Sequence, residues 1–368
     1  MQDDKEFYFG QVFKEYEKRE GIITIPNKKI LGKGSYGLVK LIMYKNKKCA
    51  GKIVAKDNFD EIEYIKDLVG PHIIKIEKIC QQINIYGKDY CLIIMERAQL
   101  EDLAKFITFL HNKNLLKLIY PKCFDENCSD TIFKYFTRQI IDGMMTLYQN
   151  NYVHFDIKPE NILILNNLIL KITDFDLLKK IDDKVKEFKI PGGTQGFMTC
   201  EYYLDTRVNA SEARTQDYFA LGCTLFSLKF GFLLLKNKKE GDGYMQAEEV
   251  LKSLERKINY IEANKLCVKD LIKFLKSLLA YKPEERPNFE EIYRNKWLNN
   301  NLDNINKIVE NYDLNDDKLL VDLQKQDFFN QKKKIFESVK KNTNSNKRYT
   351  RKCFKFKKWI SQDKKNSD

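Results

Sequence analysis

Asp156, Lys158, Pro159 and Asn161 place a carboxylate, an ammonium, a rigid proline and a carboxamide close together in residues 154–164, HFDIKPENILI. A carboxylate can accept a proton from a hydroxyl, and an ammonium can neutralise a transferring phosphoryl group. A carboxamide oxygen can bind a divalent cation. These side chains together indicate phosphoryl transfer, whereas the alternative is a polar turn between two strands without chemistry.

The stretch resembles the catalytic loop of the eukaryotic protein kinases, H-R-D-L-K-P-E-N, with Phe155 in the position of the arginine. The resemblance implies that Asp156 orients and deprotonates a substrate hydroxyl and that Lys158 neutralises phosphate charge. It also implies that Asn161 binds magnesium.

A second motif, DFD at residues 174–176, resembles the D-F-G of the same family, whose aspartate binds magnesium. By this resemblance Asp174 and Asn161 are the metal ligands, and substrate phosphates and water complete an octahedron. Asp176 replaces the glycine. This change removes a conformationally permissive residue and adds negative charge near the phosphates, so we expect it to affect rate and loop flexibility.

Three further features extend the resemblance towards the C-terminal side. GTQGFMTCE at residues 193–201 resembles G-T-x-x-Y-M-A-P-E, which implies that Glu201 pairs with Arg286. Asp217 matches a buried aspartate that accepts hydrogen bonds from the catalytic-loop backbone. Thr194 together with Lys158 is typical of Ser/Thr kinases. The order and spacing of the motifs over residues 28–298 identify the chain as a member of the protein kinase family.

A glycine-rich stretch, LGKGSYGLV, contains Gly32, Gly34 and Gly37 between two β-type runs. Glycines let backbone N–H groups approach phosphates, and Val39 can pack beneath a flat base. A dinucleotide-binding fold would require a helix after the glycines, but a β-branched run follows. The alternative is a glycine-rich hairpin without a ligand.

Ala50 and Lys52 match the family's A-x-K, which implies that Lys52 contacts phosphate and pairs with a carboxylate on the next helix. The apolar face of residues 59–69 is formed by Ile62, Ile65, Leu68 and Val69. On a helical projection Glu61 lies near that face and Glu63 on the opposite side. We therefore expect Glu61 to be the partner of Lys52.

ERAQLEDL, after the run CLIIM, resembles the segment that links the two kinase lobes. By this resemblance Met95 lies at the back of the nucleotide pocket, backbone groups of Glu96 and Ala98 hydrogen-bond adenine, and Leu163 contacts the nucleotide. An ordinary helix start after a buried strand fits the same residue types.

The resemblance implies an α+β, bilobal, protein-kinase-like fold with a mainly helical C-lobe, and the short apolar runs predict its small, sheet-rich N-lobe. The predicted parts are a lead-in helix within residues 1–27, a kinase domain at 28–298, a flanking segment at 299–330 and a basic tail at 331–368. Within the kinase domain we expect the N-lobe at 28–95, the linker at 96–101 and the C-lobe at 102–298. Strands are predicted at 29–31, 38–43, 49–54, 74–79 and 90–95. Helices are predicted at 268–279 and over an apolar stripe formed by Ile132, Phe133, Phe136, Ile140, Met144, Leu147 and Tyr148.

Charge is concentrated in the tail, where residues 331–368 carry +11 of the net +13. Aromatic residues alternate with cations in RKCFKFKKWI. This pattern suits an anionic membrane surface, nucleic acid or a nuclear import receptor, and a solvated tail without a partner is the alternative.

The acidic N-terminus lacks the features of a signal peptide, no run is long enough to span a membrane, and the cysteines are scattered. We expect an intracellular protein, cytoplasmic or nuclear.

The predicted function is phosphoryl transfer from ATP, with Mg²⁺ or alternatively Mn²⁺, to Ser or Thr of protein substrates. The family's arginine before the catalytic aspartate pairs with a phosphate on the activation loop in many kinases. Here that residue is Phe155, and residues 176–193 contain no Ser, Thr or Tyr. We therefore expect activity without activation-loop phosphorylation. The alternative is a pseudokinase or nucleotide-binding scaffold that acts through its basic tail.

Overall fold

The computed structural model describes residues 2–25, 30–33, 37–55, 65–66, 68–110, 126–182, 184, 186–235, 247–264 and 266–299. The chain divides into two compact units. The first contains residues 1–103, 138–194 and 207–217, and the second contains 104–137, 195–206 and 218–368. The N-terminal part is rich in strands and the C-terminal part in helices, as in the bilobal kinase fold.

A seven-stranded antiparallel sheet forms the centre of the N-terminal part. Its main path is β1-β3-β4-β7-β5, with β2 paired to β3 and β6 paired to β7. The strands are β1 Ile23–Thr24, β2 Gly32–Lys33, β3 Gly37–Tyr44, β4 Lys47–Ala55, β5 Ile76–Ile79, β6 Ile83–Ile85 and β7 Lys88–Glu96. The strand expected at 29–31 begins instead at Gly32. Leu31 still donates its N–H to the Val39 carbonyl at 2.9 Å.

Alternation along the three central strands gives the sheet two different faces. Val39 is paired with Lys52, and Ala50 is paired with Met95, so these four side chains share one face. The neighbouring positions, including Ile42, Ile53 and Leu92, point to the other face and are fully buried there.

Helix α1, Gln2–Glu20, covers that second face. Val12, Phe13 and Tyr16 are at most 1% exposed and belong to the same apolar cluster as the sheet. The Tyr16 hydroxyl donates to the carbonyls of Gln81 at 2.8 Å and Tyr90 at 2.9 Å. Burial of each such side chain stabilises the fold by about 1.5–3 kcal/mol. The helix was expected from the sequence, but its role as a cover of the sheet was not.

Short strand pairs shape the segment that carries the catalytic motif. Strand β8, Tyr152–Val153, pairs with β11, Lys179–Lys180, and β9, Ile162–Ile164, pairs with β10, Leu170–Ile172. A 3₁₀ turn, Pro159–Asn161, lies directly before β9. The antiparallel pairing brings the residues that follow β10 close to those that precede β9.

Helix α3, Glu126–Gln149, carries the predicted apolar stripe. Phe133, Phe136, Ile140, Met144 and Leu147 are buried as expected. Tyr148 is 42% exposed, so its assignment to the buried stripe was wrong because it lies in the last turn, past the packed part of the helix.

Around residues 59–69, Ile65 and Leu68 are buried, whereas Val69 is 84% exposed and therefore does not belong to the predicted apolar face. Val69 follows the helical residue at 65 and precedes Gly70, so the helical projection does not extend to it. The Ile62 of the same prediction lies outside the described residues.

The remaining helices are α2 Leu103–Leu110, α4 Cys200–Tyr203, α5 Ala210–Phe230, α6 Ala247–Ala263, α7 Lys269–Leu278, α8 Phe289–Tyr293 and α9 Lys296–Asn299. Helix α7 confirms the helix predicted at 268–279 within one residue at each end. Asn288 and Glu291 form a reciprocal capping box that begins α8. None of the helices in the described part of the chain has the length and apolarity to cross a membrane.

Candidate active site

Asp217, on α5, fixes the start of the catalytic loop. Its two carboxylate oxygens accept the backbone N–H groups of His154 at 2.7 Å and Phe155 at 2.8 Å. Burial raises the pKa of the Asp217 carboxyl, while His154 and these two N–H donors oppose that shift. The contact matches the expectation from the sequence and holds the loop backbone at the residue before Asp156.

Asp156 lies at the centre of a closed polar network. Its Oδ2 accepts Lys158 Nζ at 2.6 Å and Asn161 Nδ2 at 2.8 Å, and its Oδ1 accepts the Thr194 hydroxyl at 2.7 Å. Lys158 Nζ also donates to the Thr194 hydroxyl oxygen. The structure thus brings together the four residues predicted for catalysis, and the carboxylate is only 12% exposed.

Lys52 reaches from β4 to both carboxylates of the DFD motif. Its Nζ donates to Asp174 Oδ1 and Asp176 Oδ1, each at 2.6 Å. Burial lowers the pKa of Lys52, but the two carboxylate charges outweigh it, so the net pKa is raised. Burial alone would raise the pKa of Asp174, yet attraction to Lys52 brings it below its usual value. The Asp176 contact was not predicted from the sequence.

One face of the sheet carries the residues predicted to bind nucleotide. Gly32 is paired with Val39, and Val39 with Lys52. A Cβ at Gly37 would lie 2.1 Å from the Ile53 carbonyl oxygen, so the close pairing with β4 requires a glycine there. The other members of this face are Ala50 and Met95. Gly34 and Glu61 lie outside the described residues.

The linker residues 96–101 lie against β9. Leu100 donates its N–H to the Ile164 carbonyl at 3.0 Å, and Ile164 donates to the Glu101 carbonyl at 2.9 Å. An isolated bridge joins Asp102 to Leu163. Glu96 ends β7, and its carboxylate accepts the Lys75 N–H at 2.8 Å. Leu163 thus lies beside Asp102, directly after the linker that contains Glu96 and Ala98.

The two predicted metal ligands, Asn161 and Asp174, are connected through the backbone. Thr173 donates its N–H to the Asn161 carbonyl at 3.0 Å, and Asp174 follows directly. Asn161 uses its amide nitrogen for Asp156, which orients its oxygen away from that carboxylate. Hard oxygen donors of this kind fit Mg²⁺. Among the described residues no group of three or more His, Cys, Asp or Glu could hold a metal ion.

Phe188 is the structural partner of Phe155, and this contact was not predicted from the sequence. Its ring stacks on that of Phe155, with centroids 5.5 Å apart and planes at 16°. Phe188 also exchanges two backbone hydrogen bonds with Val208, at 2.7 and 3.0 Å. Phe155 is 6% exposed. The signal in the sequence was a large aromatic residue within a charged run, KVKEFK.

Glu201 and Arg286 form the buried ion pair expected from the sequence, within the second unit. Arg286 Nη2 donates to both carboxylate oxygens of Glu201, at 2.7 and 3.1 Å. The guanidinium also stacks over the Phe219 ring at 5.3 Å. Loss of one partner from such a buried pair costs about 3–5 kcal/mol because the other charge stays buried. This pair fixes helix α4, which follows Thr199.

Comparison with known proteins agrees with this geometry. The family model for the protein kinase domain matches residues 25–298. The calcium/calmodulin-dependent protein kinase cmkA of Emericella nidulans is 27% identical over 279 residues, which is 73% of this chain and 60% of that protein. NUAK family SNF1-like kinase 1 of Mus musculus is 28% identical over 285 residues, 73% of this chain and 38% of that protein.

Human 3-phosphoinositide-dependent protein kinase 1 is 26% identical over 235 residues, which is 61% of this chain and 38% of that protein. The chain thus spans less than two thirds of the length of each of these relatives. The family model covers well over half of the chain and contains every motif described above, so the chain belongs to the protein kinase family.

Proposed function

We propose that this chain transfers the γ-phosphate of ATP to Ser or Thr hydroxyls of protein substrates, without phosphorylation of its activation segment. The observation that carries the proposal is the closed network around Asp156, in which the carboxylate contacts Lys158, Asn161 and Thr194. Such an arrangement holds a base and a cation in fixed positions before substrate binds.

Asp156 is the residue that accepts the hydroxyl proton. Three donors fix its carboxylate, so it is already oriented when a substrate hydroxyl approaches. Proton acceptance by a positioned carboxylate contributes on the order of 10² to 10⁴ in rate. Lys158, whose Nζ lies 2.6 Å from Asp156 Oδ2, supplies positive charge beside the hydroxyl that attacks the γ-phosphate.

Lys52 and the metal ligands serve the nucleotide. Lys52 carries its charge on the sheet face that Val39, Ala50 and Met95 share, where it can contact phosphate oxygens. Asn161 and Asp174 would hold Mg²⁺, or Mn²⁺ in its place. Such an ion stabilises the charge that develops on the phosphates.

Support for phosphorylation-independent activity comes from Phe155 and Phe188. In the arginine-containing motif, a phosphate on the activation segment supplies the contact that orders it. Here a ring stack joins the corresponding loop position to the segment. Aromatic pairs stabilise by about 0.5–1.5 kcal/mol beyond the area they bury. This contact contains no group that needs modification.

Further partners are proposed for the basic tail. The protein substrate follows from the family and from the hydroxyl-directed site. The basic tail, 331–368, lies outside the described residues, and its binding to an anionic membrane, nucleic acid or an import receptor is carried by composition alone.

The test is transfer of labelled phosphate from ATP with Mg²⁺ to a mixed Ser, Thr and Tyr peptide library. The parent is compared with Asp174→Asn, and Asp182→Asn serves as the matched control, since Asp182 is an exposed acid of the same segment. We expect transfer to Ser and Thr that Asp174→Asn reduces by on the order of 10²-fold or more, with Asp182→Asn at the parent rate. Absence of transfer by well-folded parent protein, with Mg²⁺ and with Mn²⁺, would instead establish a pseudokinase.

A further inference from the structure

The carboxylate of Asp176 occupies a position for which the kinase motif has no side chain. It lies 2.6 Å from Lys52 Nζ, the same distance as Asp174. The two carboxylates differ in exposure, however. The Asp176 side chain is 10% exposed and that of Lys52 is 12% exposed, whereas Asp174 is 38% exposed. Asp176 is thus the more enclosed partner of the lysine.

Two other residues of the turn that contains Asp176 are buried. Phe175 is 5% exposed and packs against the His154 ring at a centroid distance of 5.6 Å. Leu178 is 1% exposed and donates its N–H to the Phe175 carbonyl at 3.1 Å. His154 is itself held by Asp217 and by the Thr173 carbonyl. The turn therefore fixes where the Asp176 carboxylate lies.

The backbone accepts aspartate at this position without strain. Among the described non-glycine residues, Asp174 has a positive φ of 65°, but Asp176 is not one of the positive-φ residues. A glycine is therefore not required by this conformation. The conformational cost that the sequence suggested for Asp176 is absent here, and its carboxylate makes a specific contact.

We infer that Asp176 is a positioning residue that holds the Lys52 ammonium in place for the nucleotide phosphates. This inference rests on the proposed function. Asp174 serves both the metal and Lys52, so any engagement with a cation weakens its hold on the lysine. Asp176 lies beside Asp174 as well as Lys52, and its contact with the lysine keeps the ammonium paired in its enclosed position. A charge-assisted hydrogen bond of this kind also restricts the flexible lysine stem.

The position of Lys52 can be measured without phosphate transfer, through acetylation of its amine by acetic anhydride followed by mass spectrometry of nucleotide-free protein. Exposed Lys180 serves as the internal standard. Asp176→Asn keeps the side-chain volume and removes the charge, and Asp176→Gly restores the residue of the family motif. Asp182→Asn is the matched control, and thermal unfolding identifies any variant that fails to fold.

We expect Lys52 to react roughly tenfold faster in Asp176→Asn and Asp176→Gly, the equivalent of one lost charge-assisted hydrogen bond. Asp182→Asn should react at the parent rate. At saturating Mg-ATP, kcat should fall by a similar factor in both Asp176 variants.

Equal acetylation rates in parent and variants would show that Asp174 alone holds the lysine and would overturn the inference. Faster acetylation with an unchanged kcat would also overturn it, since Lys52 would then be held without consequence for transfer. A parent that transfers no phosphate contradicts the proposed function, and the acetylation rates then decide alone whether Asp176 holds Lys52.

Discussion

Two adjacent residues, Phe155 and Asp156, hold the segment after the DFD motif by different chemistry. Asp156 binds its C-terminal end through the Thr194 hydroxyl at 2.7 Å. Phe155 binds its middle through the Phe188 ring at 5.5 Å between centroids. The polar contact involves the carboxylate that we propose as the catalytic base, whereas the apolar contact involves no group proposed to take part in the reaction. One interaction can therefore hold the middle of the segment while a separate interaction positions the polar groups at its C-terminal end.

The difference has a consequence for regulation. A contact between charged groups can be switched by adding or removing a phosphate. A stack of two phenylalanines has no such group, and backbone hydrogen bonds between Phe188 and Val208 reinforce it. The middle of the segment is therefore held by packing of two rings that carry no phosphate-accepting group.

The largest effect is expected from Asp156→Asn, which replaces the carboxylate of the polar contact by an amide. We expect kcat to fall by on the order of 10² to 10⁴, because the amide cannot accept the hydroxyl proton. The affinity for Mg-ATP should stay at the parent value, whereas the melting temperature should fall because Lys158 loses its ion-pair partner. A variant that phosphorylates as fast as the parent would remove Asp156 from the role of base.

A smaller effect is expected from Thr194→Val, which removes the hydroxyl between Asp156 and Lys158 and keeps the β-branched shape. Hydrogen bonds to charged groups contribute about 1.5–3 kcal/mol, so kcat should fall roughly 10- to 100-fold. Thr194→Ser retains the hydroxyl and should recover most of the rate. If the Val variant were as fast as the parent and the Ser variant slow, the methyl contact rather than the hydroxyl would be the important feature.

The smallest effect is expected for the contact between the Phe155 and Phe188 rings. It is measured by a double-mutant cycle of Phe155→Ala and Phe188→Ala. Urea unfolding should give a coupling free energy of about 0.5–1.5 kcal/mol, the range for aromatic pairs. Phe106 and Phe136, another aromatic pair in the described chain at 5.5 Å, provide a reference cycle. A coupling energy of zero would show that the stacked geometry contributes nothing to holding the segment.

The polar site could be predicted from the sequence because its members lie in short motifs. Asp156, Lys158 and Asn161 lie in one short motif, and the family resemblance supplied Thr194, which contacts Asp156 from 38 positions away. The aromatic contact could not be predicted in this way. Phe155 and Phe188 are distant along the chain, no motif in the sequence pairs them, and Phe188 is held in place by its bridge to Val208. Periodicity likewise placed Tyr148 in a buried stripe without showing that the packed part of the helix ends before it.

The fold, like the site, could be predicted from the sequence only in part. Strand alternation predicted the central strands at 38–43, 49–54 and 90–95 within a few residues. It did not predict β1 or β6, each of which is too short to have a period. The cover formed by α1 depends on tertiary packing of Phe13 and Tyr16 against the sheet, which an amphipathic pattern alone does not specify.

Activity without phosphorylation of the segment is tested most directly by comparing two values of kcat. One is measured on the untreated protein, and the other on protein that has been treated with phosphatase and verified as phosphate-free by mass spectrometry. We predict the same kcat for both, because the Phe155–Phe188 contact orders the segment without phosphate. Loss of activity on dephosphorylation, traced by mass spectrometry to the segment around Thr194 and reversed by rephosphorylation, would contradict the account.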